Sequence, residues 1–317
     1  PRLIALGERA VPAFAPAGRV LAAPCAGTVT LLDSATSEVI EQIPALGADV
    51  RTVAYSADGV LLASGSGRGR TRVWSRAERR LLLEFDDPNR PFHWWRFWAD
   101  GRRLLSVSGE GEVTWWDTLT RQAIRTFAMG PCQSAAVSPD SRLLVVGAVR
   151  GVVRWINAET GELLATTTDA HRHELSGIAF SEDGSRAASV AYDGTLAIWD
   201  PSSFQLIDAF KGHMQGAHAV AFSPDGRRLA TGGDGREAVK LWDVSTRREL
   251  LILPGQGAMF SYAAFSPDGI WLAACNWEGK LHLWRAPSWE EIEAEEKRLQ
   301  SIQSHDTGNI TKTGSEI

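Results

Sequence analysis

A histidine, a serine and an aspartate follow one another in the middle of the chain, as His171, Ser189 and Asp193. These residue types form the triad of many hydrolases, in which the histidine activates the serine and the aspartate orients the histidine. The serine, however, lacks the G-x-S-x-G sequence that exposes the nucleophile on a sharp turn. The trio is therefore either a catalytic triad or a buried hydrogen-bonded network that stabilises the fold.

Two other short patterns resemble ligand sites. His171 and His173 beside Glu174 could bind a metal, but the loop has neither a cysteine partner nor H-E-x-x-H spacing. Residues 65–70, Gly-Ser-Gly-Arg-Gly-Arg, resemble a phosphate-binding loop, yet no helix follows whose N-terminus would hold an anion. We expect a turn at these residues, no metal site, no cofactor and no catalytic residue.

A unit that recurs seven times must position these residues. Each unit contains a predicted strand that ends in Trp, or in Leu in the first unit, and the next residues are Asp33, Ser75, Asp117, Ile156, Asp200, Asp243 and Arg285. The first and last are 252 residues apart over six intervals, so the mean period is 42. Short alternating runs with Ser-Pro-Asp-Gly turns predict four antiparallel strands per unit. This period and dipeptide are typical of WD-repeat propellers.

Over residues 1–287 the chain resembles the WD-repeat β-propeller family, especially bacterial members with Ser-Pro-Asp-Gly turns and a closing Trp-Arg-Ala-Pro-Ser segment, here 284–288. The resemblance implies an all-β, seven-bladed β-propeller of four-stranded antiparallel blades. It also implies a non-enzymatic protein–protein interaction scaffold, one module of a larger bacterial signalling or regulatory protein such as a serine/threonine kinase. The alternative is a propeller enzyme or a small-molecule binder that uses the central channel, because one propeller architecture hosts many functions.

The resemblance also gives the apparent triad another role. The family's structural tetrad of His, Ser or Thr, Asp and Trp has matching residues in two units: His171, Ser189, Asp193 and Trp199 in the fifth, and His213, Thr231 and Trp242 in the sixth. The turn of the sixth unit has one extra residue, so its aspartate is not at the expected position. The tetrad is expected to tie the loop before the first strand to the turn between the second and third.

Three segments are expected along the chain. Residues 1–287 form the propeller, with residues 2–6 as the outer strand of the seventh blade. Residues 288–303 form an amphipathic helix, because Ser288 and Glu291 make a capping box after Pro287. Residues 304–317 form a flexible tail. The chain begins at Pro1 rather than methionine, so we expect a segment of a longer or processed protein.

Composition restricts the partners. The net charge of −5 comes from 33 basic and 38 acidic residues mixed along the chain, which argues against binding to duplex nucleic acid. No long apolar run predicts a membrane span in this segment. Three cysteines in different units favour a reducing, cytoplasmic compartment. The expected partner is a protein or peptide, and the sequence does not fix the oligomeric state.

The first strand of the third unit departs from the other six. In this unit the residue that opens the turn is Phe97. The residue before it is Arg96, where the other six units have alanine, and the residue after it is Trp98, where the others have a small residue. Trp95 and Trp94 occupy the two positions further back. We expect Trp95 and Trp98 to fill gaps between blades. Trp94 and Arg96, with His93 at the start of the strand, are expected to form an aromatic and basic pocket near the channel mouth.

The predicted partner site lies on the face where loops lead into the first strand of each blade, chiefly at the second and third blades. Its residues are Arg51, Arg68, Arg70, His93, Trp94, Arg96, His218 and Tyr262. Arginines on one face could bind a carboxylate or phosphate bidentately, or they could form a solvated rim.

Overall fold

The computed structural model describes residues 2–25, 27–44, 50–86, 92–98, 100–168 and 170–286, without the side chains of residues 85, 86, 92–94 and 236. These residues form seven four-stranded antiparallel sheets, the blades of a propeller. The all-β, seven-bladed prediction is confirmed. The predicted boundary at 287, the helix at 288–303 and the tail at 304–317 lie outside the described residues.

The strands follow one another from the inside of the ring outward in each blade. After β1 (Arg2–Ala5), blade 1 contains β2 (Ala13–Phe14), β3 (Val20–Cys25), β4 (Thr28–Asp33) and β5 (Val39–Pro44). Blade 2 contains β6 (Val50–Tyr55), β7 (Leu61–Ser66), β8 (Arg70–Ser75) and β9 (Arg80–Asp86). Blade 3 contains β10 (Phe92–Phe97), β11 (Arg103–Ser108), β12 (Glu112–Asp117) and β13 (Gln122–Ala128).

The remaining blades repeat this order. Blade 4 contains β14 (Cys132–Val137), β15 (Leu143–Ala148), β16 (Val153–Asn157) and β17 (Leu163–Thr167), and blade 5 contains β18 (Leu175–Phe180), β19 (Ala187–Ala191), β20 (Thr195–Asp200) and β21 (Gln205–Lys211). Blade 6 contains β22 (Ala217–Phe222), β23 (Arg228–Gly233), β24 (Val239–Asp243) and β25 (Glu249–Leu253), and blade 7 contains β26 (Phe260–Phe265), β27 (Trp271–Asn276) and β28 (Lys280–Arg285).

Two short 3₁₀ turns, Val149–Gly151 and Gly235–Glu237, join the second and third strands of blades 4 and 6. Throughout the described ranges, no helix has the length and apolar character needed to cross a bilayer.

The first and last described strands meet in blade 7, as the sequence predicts. β1 pairs antiparallel with β28, with Arg2 opposite Leu283 and Ala5 opposite Lys280. The Leu6 amide extends this contact by donating a hydrogen bond to the Gly279 carbonyl at 2.7 Å. β1 is therefore the fourth strand of blade 7, so the ring is closed by hydrogen bonds between distant parts of the sequence.

The apolar core is divided among the seven gaps between neighbouring blades, with one buried cluster in each gap. Middle strands such as β7 are buried along most of their length because both faces contact a neighbouring blade. Outer strands such as β13 are mostly exposed because they lie at the perimeter. Each blade is therefore stabilised by its two neighbours, as in other repeat folds.

The propeller has two faces and a central channel. The loop face carries the loops that lead into each first strand and the turns between second and third strands. The turn face carries the Ser-Pro-Asp-Gly turns between first and second strands and the turns between third and fourth strands. The first strands of all seven blades line the channel, which contains a cavity of about 720 Å³.

Candidate functional site

The predicted tetrad of blade 5 is assembled on β19, β20 and the adjoining loops. Ser189 Oγ lies 2.7 Å from His171 Nε2 and accepts a 2.8 Å hydrogen bond from Trp199 Nε1. His171 Nδ1 lies 2.7 Å from Thr195 Oγ1, and the Thr195 hydroxyl donates to the Asp193 carboxylate. Because a carboxylate only accepts, Thr195 must accept from His171 Nδ1–H, and Ser189 must donate to Nε2. The network therefore fixes the neutral Nδ1–H tautomer.

This network differs from a hydrolase triad in two respects. Thr195 stands between His171 and the carboxylate of Asp193, so the aspartate does not orient the ring directly. The side chain of Ser189 is buried, and its hydroxyl already binds both a histidine and an indole. Burial also lowers the pKa of His171 to about 4, and the charge of Asp193 offsets part of this shift. The geometry favours a structural network.

Blade 6 builds a similar network, with a different acid and without the intervening threonine. Thr231 Oγ1 lies 2.8 Å from His213 Nε2 and accepts from Trp242 Nε1 at 2.8 Å. Glu237, in the longer 3₁₀ turn, places Oε2 3.6 Å from His213 Nδ1 and accepts a hydrogen bond from the Met214 amide. Burial lowers the pKa of His213 to about 4, with a further contribution from Lys240. Glu237 thus takes the position where the sequence lacked its aspartate.

The two other ligand-like patterns lie in exposed loops and turns. His173 is exposed on the loop before β18, and within the described ranges no three His, Cys, Asp or Glu side chains come together as potential metal ligands. Residues 67–69 form a tight turn between β7 and β8, in which Ser66 Oγ accepts hydrogen bonds from the amides of Arg68 and Arg70. The turn predicted at residues 65–70 is confirmed.

Three of the predicted partner residues meet on the loop face of blade 2. The side chain of Arg51 lies across Gly67, because a Cβ added to that glycine would be 2.6 Å from Arg51 Cζ. The same turn carries Arg68, which is exposed, and leads to Arg70, which is half-buried. The structure therefore brings these three arginines together beside one turn.

Two other predicted partner residues lie in the channel wall. His218 is buried, with Nε2 2.9 Å from Asp234 Oδ2 and its ring 5.5 Å from the Tyr192 ring. Tyr262 is half-buried against the core between blades 7 and 1, and this burial raises its pKa. Both rings support the wall more than they extend toward a partner on the loop face.

The aromatic strand β10 separates into packing and channel residues. Trp95 belongs to the cluster between blades 2 and 3, and its indole Nε1 would lie 2.5 Å from a Cβ added to Gly65. Trp98 belongs to the cluster between blades 3 and 4. The prediction that these two side chains fill gaps between blades is confirmed. The backbone of His93 and Trp94 belongs to β10, but their side chains lie outside the described residues.

Arg96 is at the other end of the channel from the three arginines. It lines the cavity together with Glu182 and with the turn prolines Pro139, Pro224 and Pro267. Those prolines belong to the turn face, so Arg96 does not extend the loop-face site. The prediction that Arg96 joins His93 and Trp94 in one pocket near the loop-face mouth was therefore wrong. Arg96 comes one residue before the end of β10, and that end of the strand is at the turn face.

The sequence prediction missed four exposed apolar side chains on the loop face of blades 4 to 7. They are Val149 at 47%, Tyr192 at 41%, Met214 at 80% and Trp277 at 37% exposed. The Arg9 guanidinium lies 4.2 Å from the Trp277 ring centroid, which orients that ring. Large apolar residues in polar turns were the available signal, but loops have no repeat period against which such residues could be compared.

Comparison with known proteins agrees with this architecture. The family described as WD domain, G-beta repeat matches residues 42–75, 161–200, 204–243 and 248–285. Each match ends with the third strand of a blade, in blades 2, 5, 6 and 7.

Similar proteins come from plants, animals and bacteria. The chain is 25% identical to Periodic tryptophan protein 2 of Arabidopsis thaliana over 251 residues, 72% of this chain and 28% of that protein. It is 34% identical to Protein groucho of Drosophila melanogaster over 180 residues, 54% of this chain and 24% of that protein. It is 33% identical to a WD repeat-containing protein of Synechocystis sp. over 228 residues, 57% of this chain and 65% of that protein. The chain spans less than two thirds of each relative.

Proposed function

Because this chain is a seven-bladed propeller and four of its blades match the WD-repeat family, we propose that it is an interaction scaffold whose loop face binds a protein or peptide partner. The observation that carries the proposal is the group of exposed side chains on blades 4 to 7, namely Val149, Tyr192, Met214 and Trp277. Exposed apolar side chains grouped on one face are characteristic of interaction sites.

The chemistry of these side chains favours the loop face over the turn face. Large exposed apolar side chains of the turn face include Val60, Leu119 and Ile270, which are aliphatic. Tyr and Trp are enriched at binding hot spots, whereas Leu and Val are under-represented there. Methionine adapts its shape to a partner because its side chain is unbranched and flexible.

Charge defines the partner further. Arg51, Arg68 and Arg70 lie on the loop face of blade 2, across the channel mouth from the apolar group. A segment that crosses the mouth would place apolar side chains over blades 5 to 7 and acidic ones over blade 2. Guanidinium groups bind carboxylates and phosphates through paired hydrogen bonds, so an acidic or phosphorylated end fits this side.

The test compares two faces of the same protein. Met214→Glu combined with Tyr192→Ala changes the loop face, while Leu119→Glu places the same charge at a turn-face position that is also well exposed. Partners captured by the full chain should be lost from the loop-face variant and retained by Leu119→Glu, as measured by quantitative mass spectrometry. Equal capture by both variants, with circular dichroism showing intact folds, would contradict the proposal.

The biological setting remains a prediction from the resemblance. Membership of a larger bacterial signalling or regulatory protein is the prediction, and the WD-repeat relative in Synechocystis supports its bacterial part. Affinity purification of the full-length parent protein would test that setting separately from the binding face.

A further inference from the structure

Arg96 is a charged exception in a channel wall built from small side chains. The corresponding residue of every other blade is alanine: Ala13, Ala54, Ala136, Ala179, Ala221 and Ala264. Of the described residues that line the cavity, Arg96 has the only permanent positive charge. It forms no hydrogen bond or ion pair with any residue in the described part of the chain.

The position of Arg96 is unfavourable for a charge without a partner. Its side chain is exposed to the channel, but blades surround it on all sides, and this desolvation lowers its pKa. An alanine at this position would avoid the desolvation, as the six other blades demonstrate. The described contacts therefore give the guanidinium no structural role that offsets its cost.

A second exception lies nearby on blade 5. Glu182 follows β18 at a turn position where four other blades have proline, namely Pro16, Pro139, Pro224 and Pro267. Its exposed carboxylate lines the same end of the cavity as Arg96. Within the described ranges it has no side-chain hydrogen bond or ion pair, so the two opposite charges remain separate across the channel.

We propose that the turn-face end of the channel binds a small amphoteric molecule, whose carboxylate or phosphate contacts Arg96 and whose ammonium group contacts Glu182. Free amino acids and phosphorylated amines have this chemistry. The site is distinct from the proposed loop-face partner site, so either proposal can fail without the other.

The shape and chemistry of the cavity fit such a ligand. The part of the cavity at the turn face has a volume of about 500 Å³, which lies within the range of small-molecule sites, about 300–1,000 Å³. The guanidinium can donate two parallel hydrogen bonds to a carboxylate or phosphate. Ala136, Ala179 and Ala264 line the same part of the cavity and give it an apolar wall, against which the body of the ligand can pack. A simple anion would satisfy Arg96 but would be repelled by Glu182.

Arg96→Ala is a suitable variant because it restores the residue of the other six blades. Without ligand, its melting temperature should equal or exceed that of the wild type. A clear loss of stability would show that Arg96 serves the fold, and this result would overturn the proposal.

The binding test uses a defined panel and thermal unfolding of the full chain. The panel contains amino acids and phosphoethanolamine as amphoteric probes, acetate, succinate and inorganic phosphate as anions, and ethylamine and putrescine as cations. At saturating concentration, the best amphoteric probe should raise the wild-type melting temperature by roughly 2–5 °C. Anions should produce smaller shifts and cations should produce none, and Arg96→Ala should shift clearly less than the wild type with every amphoteric or anionic probe.

Glu182→Gln separates the contribution of Arg96 to binding from that of Glu182. This variant should respond to anions as strongly as to amphoteric probes, because the repulsive carboxylate is gone. Calorimetric titration of the best probe should show affinity reduced roughly tenfold or more in Arg96→Ala. The proposal is overturned if no probe shifts the wild type, if Arg96→Ala responds like the wild type, or if anions exceed amphoteric probes in the wild type.

Discussion

Blades 5 and 3 have the same four strands but are stabilised by different chemistry. In blade 5, His171, Ser189 and Trp199 form a buried hydrogen-bonded network around the small residues of β19. In blade 3, the rings of Trp98 and Trp115 meet edge to face with centroids 4.1 Å apart. Blade 3 thus gains its packing from aromatic surface, while blade 5 gains its rigidity from directional bonds.

The same difference extends to the turn after the first strand. In blade 5, Ser181 Oγ donates to Asp183 Oδ1 at 2.6 Å and accepts from the Arg186 amide at 3.0 Å. In blade 3, Trp98 replaces the serine, and Arg103 instead places its guanidinium 4.5 Å from the indole centroid. A repeat can therefore keep its backbone while replacing its stabilising contacts, and this freedom permits exceptional residues such as Arg96.

The largest expected effect follows from reversing this replacement. Trp98→Ser restores the usual turn residue but leaves a cavity between blades 3 and 4, so it should lower the free energy of unfolding by about 3–5 kcal/mol. Urea unfolding measures the loss. Ser181→Ala in blade 5 is the matched control and should lose only about 1 kcal/mol. A loss in Trp98→Ser no greater than the control's would mean that the aromatic packing contributes little.

The second-largest expected effect is that acidification destabilises blade 5 through His171. Unfolded histidine binds a proton below about pH 6.5, whereas His171 in the fold does so only near pH 4. Its contribution is therefore complete above pH 6.5 and is lost as the pH falls toward 4, by about 3 kcal/mol. Unfolding free energies measured across this range should fall less steeply in His171→Phe. His173→Phe, at an exposed histidine of the same loop, should retain the wild-type slope.

Removing an indole N–H should lower the free energy of unfolding in both blades, and the difference between the two losses should be smaller than the effects above. Trp199→Phe leaves the fully buried Ser189 without a donor and should cost about 2 kcal/mol. Trp116→Phe removes the comparable 2.9 Å hydrogen bond to Ser106 from a half-buried ring and should cost about 1 kcal/mol. Chemical unfolding provides both values. The reverse order would show that blade 3 depends on its indole–serine hydrogen bond more than blade 5 depends on the equivalent bond.

The smallest expected effect concerns Arg103, whose guanidinium lies against the indole of Trp98 in the turn of blade 3. Arg103→Ala loses the contact with Trp98 and a 2.7 Å hydrogen bond to Asp100, which should cost about 0.5–1 kcal/mol. Arg102→Ala removes an exposed pair with Asp117 and should cost less. Thermal unfolding of the two variants compares them directly, and equal stabilities would remove the role assigned to Arg103.

The sequence predicted the architecture because a repeat presents seven versions of the same information. The tryptophan spacing and the turn residues predicted the blades, and the isolated strand at residues 2–6 predicted the closure that β1 and β28 form. Glu237 was missed because one extra turn residue moved the acid out of its column. Its role depends on the 3₁₀ turn, which spacing alone does not predict.

The candidate sites were harder to predict because they depend on depth along the channel and on loops. Repeat alignment identified Arg96 as exceptional, but His93 and Arg96 were assigned to one site although they lie at opposite ends of a strand. Met214 and Trp277 lie in loops of different length, so alignment gave no expected residue for comparison. Exposure, which reveals them, results from the packing of whole blades.

The pairing of β1 with β28 also has a consequence during synthesis. The ribosome makes Ala5 long before its partner Lys280, so β1 must wait while 275 residues are added. At about 5–20 residues per second, this delay lasts roughly 14–55 s. Throughout this time the nascent chain has a strand without its intended neighbour, and such edges can pair with other chains. The short length of β1, four residues, limits that hazard on the ribosome.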